Sequence, residues 1–114
     1  MYIENRMGKI KISKDVIYKI VGKAAIATSG IAKMSSGIGE GLANWINGKS
    51  LENGIELKEA ERGLDIRLSV VIQYRTKISA VLQELQNNVR EAVAGFTGLS
   101  VGSINVIVEG ISVK

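Results

Sequence analysis

Between Ile78 and Phe96 the apolar residues recur at spacings of three and four: Ile78, Val81, Leu82, Leu85, Val89, Val93 and Phe96. Such a stripe describes one amphipathic helix of about five turns with a single face to bury. Lys77, Glu84, Asn87, Asn88, Arg90 and Glu91 form its polar side. The flanking segments have a different period. Leu64, Ile66, Leu68, Val70 and Ile72 alternate before the helix, and Ile104, Val106 and Val108 alternate after it. Alternation of this kind is the mark of a strand with one buried face. A helix between two strands can bury its stripe by lying across the sheet that they share, so this half of the chain predicts a helix packed on a sheet.

The first half reads in the same way. Gly8-Lys9-Ile10-Lys11-Ile12 alternates as a half-buried strand, and Ser13 stands where a helix N-cap belongs, with Asp15 in the first turn. Val16, Ile17, Ile20, Val21 and Ala24 make a core-facing helical stripe that Gly30 ends, and Ile31 to Met34 reads as a short strand. A glycine-rich connection of about residues 35–53 follows, in which Glu40 to Asn47 has the pattern of a helical turn or two anchored by Trp45. Gly54 to Glu59 and Leu64 to Tyr74 read as a β-hairpin turning at Glu61-Arg62-Gly63. Thr76 is the expected cap of the second helix, and Gly95-Phe96-Thr97-Gly98 its stop. In the last strand the apolar parity shifts across Gly110 to Ile111 and Val113, as a bulge or bend requires. The expected fold is α+β: a single mixed β-sheet with two helices packed on one face, in the order β-α-β-β-β-α-β, forming one domain over residues 1–114.

The chain's 114 residues contain no cysteine, histidine or proline. Disulfides, thiolate zinc sites, thiol nucleophiles and imidazole bases or ligands are therefore excluded together. Aromatic residues make up 4%, so the core must be built from Ile, Val, Leu and Ala. No apolar run approaches the roughly 20 residues that span a bilayer, and MYIENRMGKIKIS lacks the apolar region of a signal peptide.

Charge is distributed unevenly. Residues 1–33 hold seven Lys/Arg against two acids, whereas the remaining 81 hold eight basic and nine acidic groups. Lys9, Lys11, Lys14, Lys19 and Lys23 stand in an adjoining strand and helix and form a candidate surface for an anionic partner. Tyr18 is the only aromatic residue near them, so the stacking residues of a nucleic-acid platform are sparse.

Motifs that would carry chemistry fail on inspection. GIGEGLANWINGKS, residues 37–50, ends in Gly-Lys-Ser, but Ala43 occupies the position where a phosphate-binding G-x-x-x-x-G-K-[ST] loop needs glycine. Too few residues follow Ser50 to build the required helix. Gly37, Gly39 and Gly41 give G-x-G-x-G rather than G-x-G-x-x-G. The stretch is therefore expected to be a connection, the most mobile part of the domain. Gly95 to Gly98 has the spacing of the RNA-clamping GxxG loop but joins a helix to a strand, not two helices. Glu56, Glu59, Glu61 and Asp65 lie in or beside the hairpin among basic residues, which reads as solvated surface rather than a catalytic pair. No catalytic, cofactor-binding or metal-binding residue is assigned, and the expectation is a protein that is not an enzyme.

Three segments together resemble the alkaline shock protein family of Gram-positive bacteria. They are Gly8 to Ser13 continuing through Val16-Ile17, Ile20 and Ala24-Ala25; the strand to Tyr74 with Ile78, Gln86, Val89 and Val93; and Thr97-Gly98-Leu99, Val101, Ile104-Asn105-Val106, Val108, Gly110 and Ile111. The chain departs from the family in Arg75, where glycine often follows the tyrosine, and in its longer glycine-rich connection. The resemblance implies a non-enzymatic stress protein of cell-envelope homeostasis. It further implies a cytoplasmic protein that self-associates and sits near the membrane through a membrane-anchored protein partner, with no cofactor and no small-molecule substrate. The residues themselves leave open a second reading, a small basic nucleic-acid-binding or regulatory module that uses the lysine group.

Overall fold

The computed structural model describes residues 1–35, 50–52 and 54–113. The elements run β1 (Tyr2–Asn5), β2 (Gly8–Lys11), α1 (Lys14–Ala27), β3 (Ile31–Met34), β4 (Ser50–Glu52), β5 (Ile55–Ala60), β6 (Gly63–Gln73), α2 (Ile78–Thr97) and β7 (Val101–Ser112). The α+β class holds, and so does the mixed character of the main sheet. The single sheet does not: β1 and β2 form a separate two-stranded sheet, and the other five strands form the second.

Strand β6 is the axis of the main sheet. Along one edge it pairs in parallel with β7, from Leu64↔Val101 to Gln73↔Ser112. Along the other, β5 pairs antiparallel with its first half (Ile55↔Leu68 to Ala60↔Gly63) and β3 antiparallel with its second (Met34↔Val70 to Ile31↔Ile72). Thus β3 and β5 are collinear, two parts of one lane that the chain leaves after Met34 and rejoins at Ile55. Ser69 closes the gap from both sides. Its carbonyl accepts from the Ser35 N–H at 2.8 Å, and its own N–H donates to the Gly54 carbonyl at 2.8 Å. Gly54 has φ +80°, and a Cβ there would overlap the Ser35 carbonyl oxygen, so only glycine fits this neck. From Gly54 the chain also turns β4 back onto β5 (Glu52↔Ile55). Strand β4 is a further addition to the expected order. It lies at the end of what reads as an unstructured connection, and three residues are too few to show a period. The rest of that connection, with the pattern at Glu40–Asn47, Trp45 and the expected mobility of the glycines, falls on residues 36–49 and 53, outside the described residues.

Both helices pack on one face of the main sheet, as expected. Ile17, Val21 and Ala25 of α1 and Leu85, Val89 and Val93 of α2 meet Ile66, Leu68 and Val70 of β6, all with no exposed surface. The helices are tied together where α1 ends. Asn88 Nδ2 donates to Thr28 Oγ1 at 3.0 Å, and that hydroxyl donates to the Ala24 carbonyl at 2.9 Å. Ser13 caps α1 as expected, its Oγ accepting from the Asp15 N–H at 3.1 Å. Gly98, with φ +76°, stops α2 as expected and donates its N–H to the Ala94 carbonyl. The anticipated bulge near Gly110 is present, a register shift where Val70 faces Val108 and Val71 faces Gly110.

Three local readings need correction. Thr76 does not cap α2: its hydroxyl turns back to the Gln73 carbonyl at 2.7 Å, and Lys77 holds the N-cap position with no side-chain cap bond. Phe96, at the end of the apolar stripe, is 83% exposed, and Ile78 and Val16 are also exposed. These residues keep the helical phase of their neighbours but lie at helix ends, beyond the layer that would cover them. Ile10, read as the inner face of a half-buried strand, is half exposed, because β2 pairs with β1 and not with the main sheet.

Candidate interaction surface

The β1–β2 hairpin is rooted at its open end. The Ile12 N–H donates to the Met1 carbonyl at 2.7 Å, and buried Met1 is part of the core, so the strands project from that root to a turn at residues 5–8. Asn5 Oδ1 accepts from the Met7 N–H at 2.8 Å and shapes that turn. In the register Ile3 stands opposite Ile10. These two side chains, Val16 and Ile20 of α1, and Ala92 and Phe96 of α2 line a groove of about 950 Å³ between the hairpin and the facing ends of the helices.

The structure gathers part of the lysine group at this groove. Lys11 comes from β2, and Lys19 and Lys23 come one turn apart on α1; all three line it and all are exposed. No carboxylate accompanies them among the described lining residues. Lys9 stands opposite Glu4 in the hairpin, with Nζ 5.7 Å from the centre of the Tyr2 ring. Lys14, the first residue of α1, is exposed and is not part of the groove wall. Reading the charges in sequence missed the apolar half of this site. Phe96 and Ala92 are 69 residues or more from the lysines, and only the packing of α2 beside α1 brings them there.

The carboxylates of the β5–β6 hairpin are dispersed over separate partners. Glu56 is buried rather than solvated and lies 3.9 Å from Arg67 Nη1. Asp65 Oδ1 accepts from the Ser103 N–H at 3.1 Å and from its hydroxyl at 3.0 Å. Glu59 lies 3.9 Å from the Met1 ammonium, and Glu61 is exposed in the turn. Cross-strand ties between strands fit this arrangement better than proton transfer does.

A second surface lies along β7, an edge strand of twelve residues. Two α2 side chains reach its first half: Gln86 Nε2 donates to the Ile104 carbonyl at 3.0 Å and Arg90 Nη1 to the Val101 carbonyl at 2.9 Å. Its far end carries exposed Ile111, with exposed Val113 just beyond it, beside exposed Tyr74, whose N–H donates to the Ser112 carbonyl.

Comparison with known proteins agrees with the architecture. In fold, the chain is similar to a solved MamM-CTD variant, with a TM-score of 0.52 and 11% identity over 88% of this chain and 96% of the other. That likeness is one of fold alone. In sequence it is 31% identical over 113 residues to the uncharacterized protein YloU of Bacillus subtilis (strain 168), covering 97% of this chain and 94% of the relative. It is 26% identical over 108 residues to a stress response regulator gls24 homolog of Streptococcus pyogenes serotype M3, covering 94% of this chain but 60% of the relative. Residues 2–113 match the alkaline shock protein 23 family, a family of cell envelope-related function, and the chain belongs to that family.

Proposed function

We propose that this protein is a non-enzymatic scaffold of cell-envelope stress homeostasis, acting by self-association and by docking to a membrane-anchored protein partner on the cytoplasmic side. The observation that carries the reading is β7. Helix side chains cover this edge strand at Val101 and Ile104, whereas its second half, up to exposed Ile111 with Val113 just beyond it, has the form of a surface that adds a strand from another chain. No helix of the described residues is long and apolar enough to cross a membrane, so an anchored partner supplies the membrane contact in this reading.

Sedimentation across a concentration series tests it. Wild-type protein is expected to form concentration-dependent oligomers, and Ile111→Lys with Val113→Lys to shift them to monomer without loss of folded signal. A monomer at every concentration would sink the reading. The nucleic-acid alternative rests on the lysine group. It would prevail if oligonucleotides bound with a steep salt dependence that Lys11→Glu, Lys19→Glu and Lys23→Glu together abolished.

A further inference from the structure

We propose that the groove between the β1–β2 hairpin and the helix ends binds a single-chain fatty carboxylate. Its lining is largely apolar, with Ile3, Ile10, Val16 and Ile20 facing Ala92 and Phe96 of α2. Its charged lining is cationic, and Lys11, Lys19 and Lys23 come from the β2–α1 side, while α2 contributes Ala92, Phe96 and Thr97. An occupant that matches this arrangement is apolar along its length and anionic at one end. A cationic amphiphile would meet three ammonium groups with no carboxylate among the described lining residues to offset them.

Size separates this occupant from larger ones. The groove is open to solvent, and its volume of about 950 Å³ is within the roughly 300–1,000 Å³ of small-ligand sites. The exposed lining is far smaller than the roughly 800 Å² per partner of a standard protein interface, so a second chain seated here alone would gain little. A flat bilayer surface fits poorly too. Ile20 and Ala24 are partly buried residues of the lining, set back from a flat surface by the hairpin and α2 residues that line the groove with them. The carboxylate would sit at Lys19 and Lys23, one helical turn apart, and the tail would run over Val16 towards Phe96 and Ile10. The inference is independent of self-association through β7, which lies on another part of the molecule.

Isothermal titration with decanoate, dodecanoate and tetradecanoate, each below its micelle concentration, tests the site. One ligand per chain is expected, tightening by about fourfold for each added methylene while the tail still fits the groove. Dodecanol and dodecyltrimethylammonium are expected to bind at least about tenfold more weakly than dodecanoate, since neither pairs with the lysines. Lys19→Glu with Lys23→Glu, both exposed positions, should weaken dodecanoate by at least about tenfold while circular dichroism stays unchanged. Phe96→Asp should do the same from the opposite wall. The Ile111→Lys, Val113→Lys variant should bind as wild type does, which keeps failure of the scaffold reading separate from failure here. Equal affinity for the alcohol or the ammonium, binding indifferent to both sets of groove substitutions, or binding to phosphatidylglycerol vesicles with none to free carboxylate would each overturn the proposal. The vesicle result would assign the groove to a membrane surface instead.

Discussion

The sheet face under the helices and the groove under the hairpin both draw on aliphatic side chains, Ile, Val and Ala among them, yet their burial differs sharply. Ile66, Leu68, Val70, Leu85 and Val89 have no exposed surface, whereas Ile10 and Val16 are about half exposed and Phe96 far more. Hydropathy does not separate the two sets; the number of layers that meet does. Between the helices and β6 two layers meet, so these side chains find atoms on all sides. At the groove two strands held at one root face one side of α1, from Val16 to Ala24, and the last turns of α2, and leave a gap. Stability is therefore expected to reside in the first region, and the second is free to be shaped for contact with something else.

The largest test of this contrast is Leu68→Ala. Leu68 is fully buried on the central strand, between β5 and β7 in the register. Loss of its side chain in a close-packed layer is expected to lower unfolding free energy by about 2–5 kcal/mol, read as a denaturation midpoint shift without a change in slope. A loss below about 1 kcal/mol would mean that the sheet face is as loosely packed as the groove.

Gly54→Ala asks whether the tight region extends to the neck where the chain leaves the sheet. Alanine at φ +80° is strained on its own account, and its Cβ would overlap the Ser35 carbonyl, whose residue is tied to Ser69 on β6. The expected loss is about 2 kcal/mol or more. Hydrogen exchange at the Ser69 amide, which donates to the Gly54 carbonyl, should speed up with it. An unchanged midpoint would show that the two halves of the β3–β5 lane are held independently.

The same contrast explains what could be read in the sequence. Features set by a residue and its near neighbours were legible: the Ser13 cap, the Gly98 stop, the β5–β6 hairpin, the parity shift at Gly110 and the buried stripe from Val81 to Val93. Arg75 was visible only as a departure from the family; that it holds φ +69°, a conformation a glycine would adopt without strain, appears only in the structure. Features that depend on a distant partner were not legible. Tyr2–Asn5 and Ser50–Glu52 pair with β2 and β5; the first shows no apolar alternation and the second is too short for a period to show itself. Periodicity also says which way Phe96 points, but not that the sheet ends before reaching it. For the candidate site, the spacing of Lys19 and Lys23 placed two charges on one helix face. The apolar lining became visible only once α2 lay beside α1.

The smallest expected effect is therefore the most telling. Ile10→Ser removes an apolar side chain at a position where the alternation of β2 predicts a buried one. If burial followed sequence pattern, the substitution would destabilise as a core change does, by about 1–3 kcal/mol. Because Ile10 is half exposed in a hairpin whose anchorage is Met1 and Ile12, unfolding free energy is expected to move by no more than about 0.5 kcal/mol. A near-zero change here beside a large one for Leu68→Ala would show that Ile10 is not retained for the fold's stability. Its apolar character would then need a reason outside the chain, and the groove that it lines is where that reason can be sought. A large change would instead make the hairpin part of the cooperative core and turn the groove into a packing fault of that core.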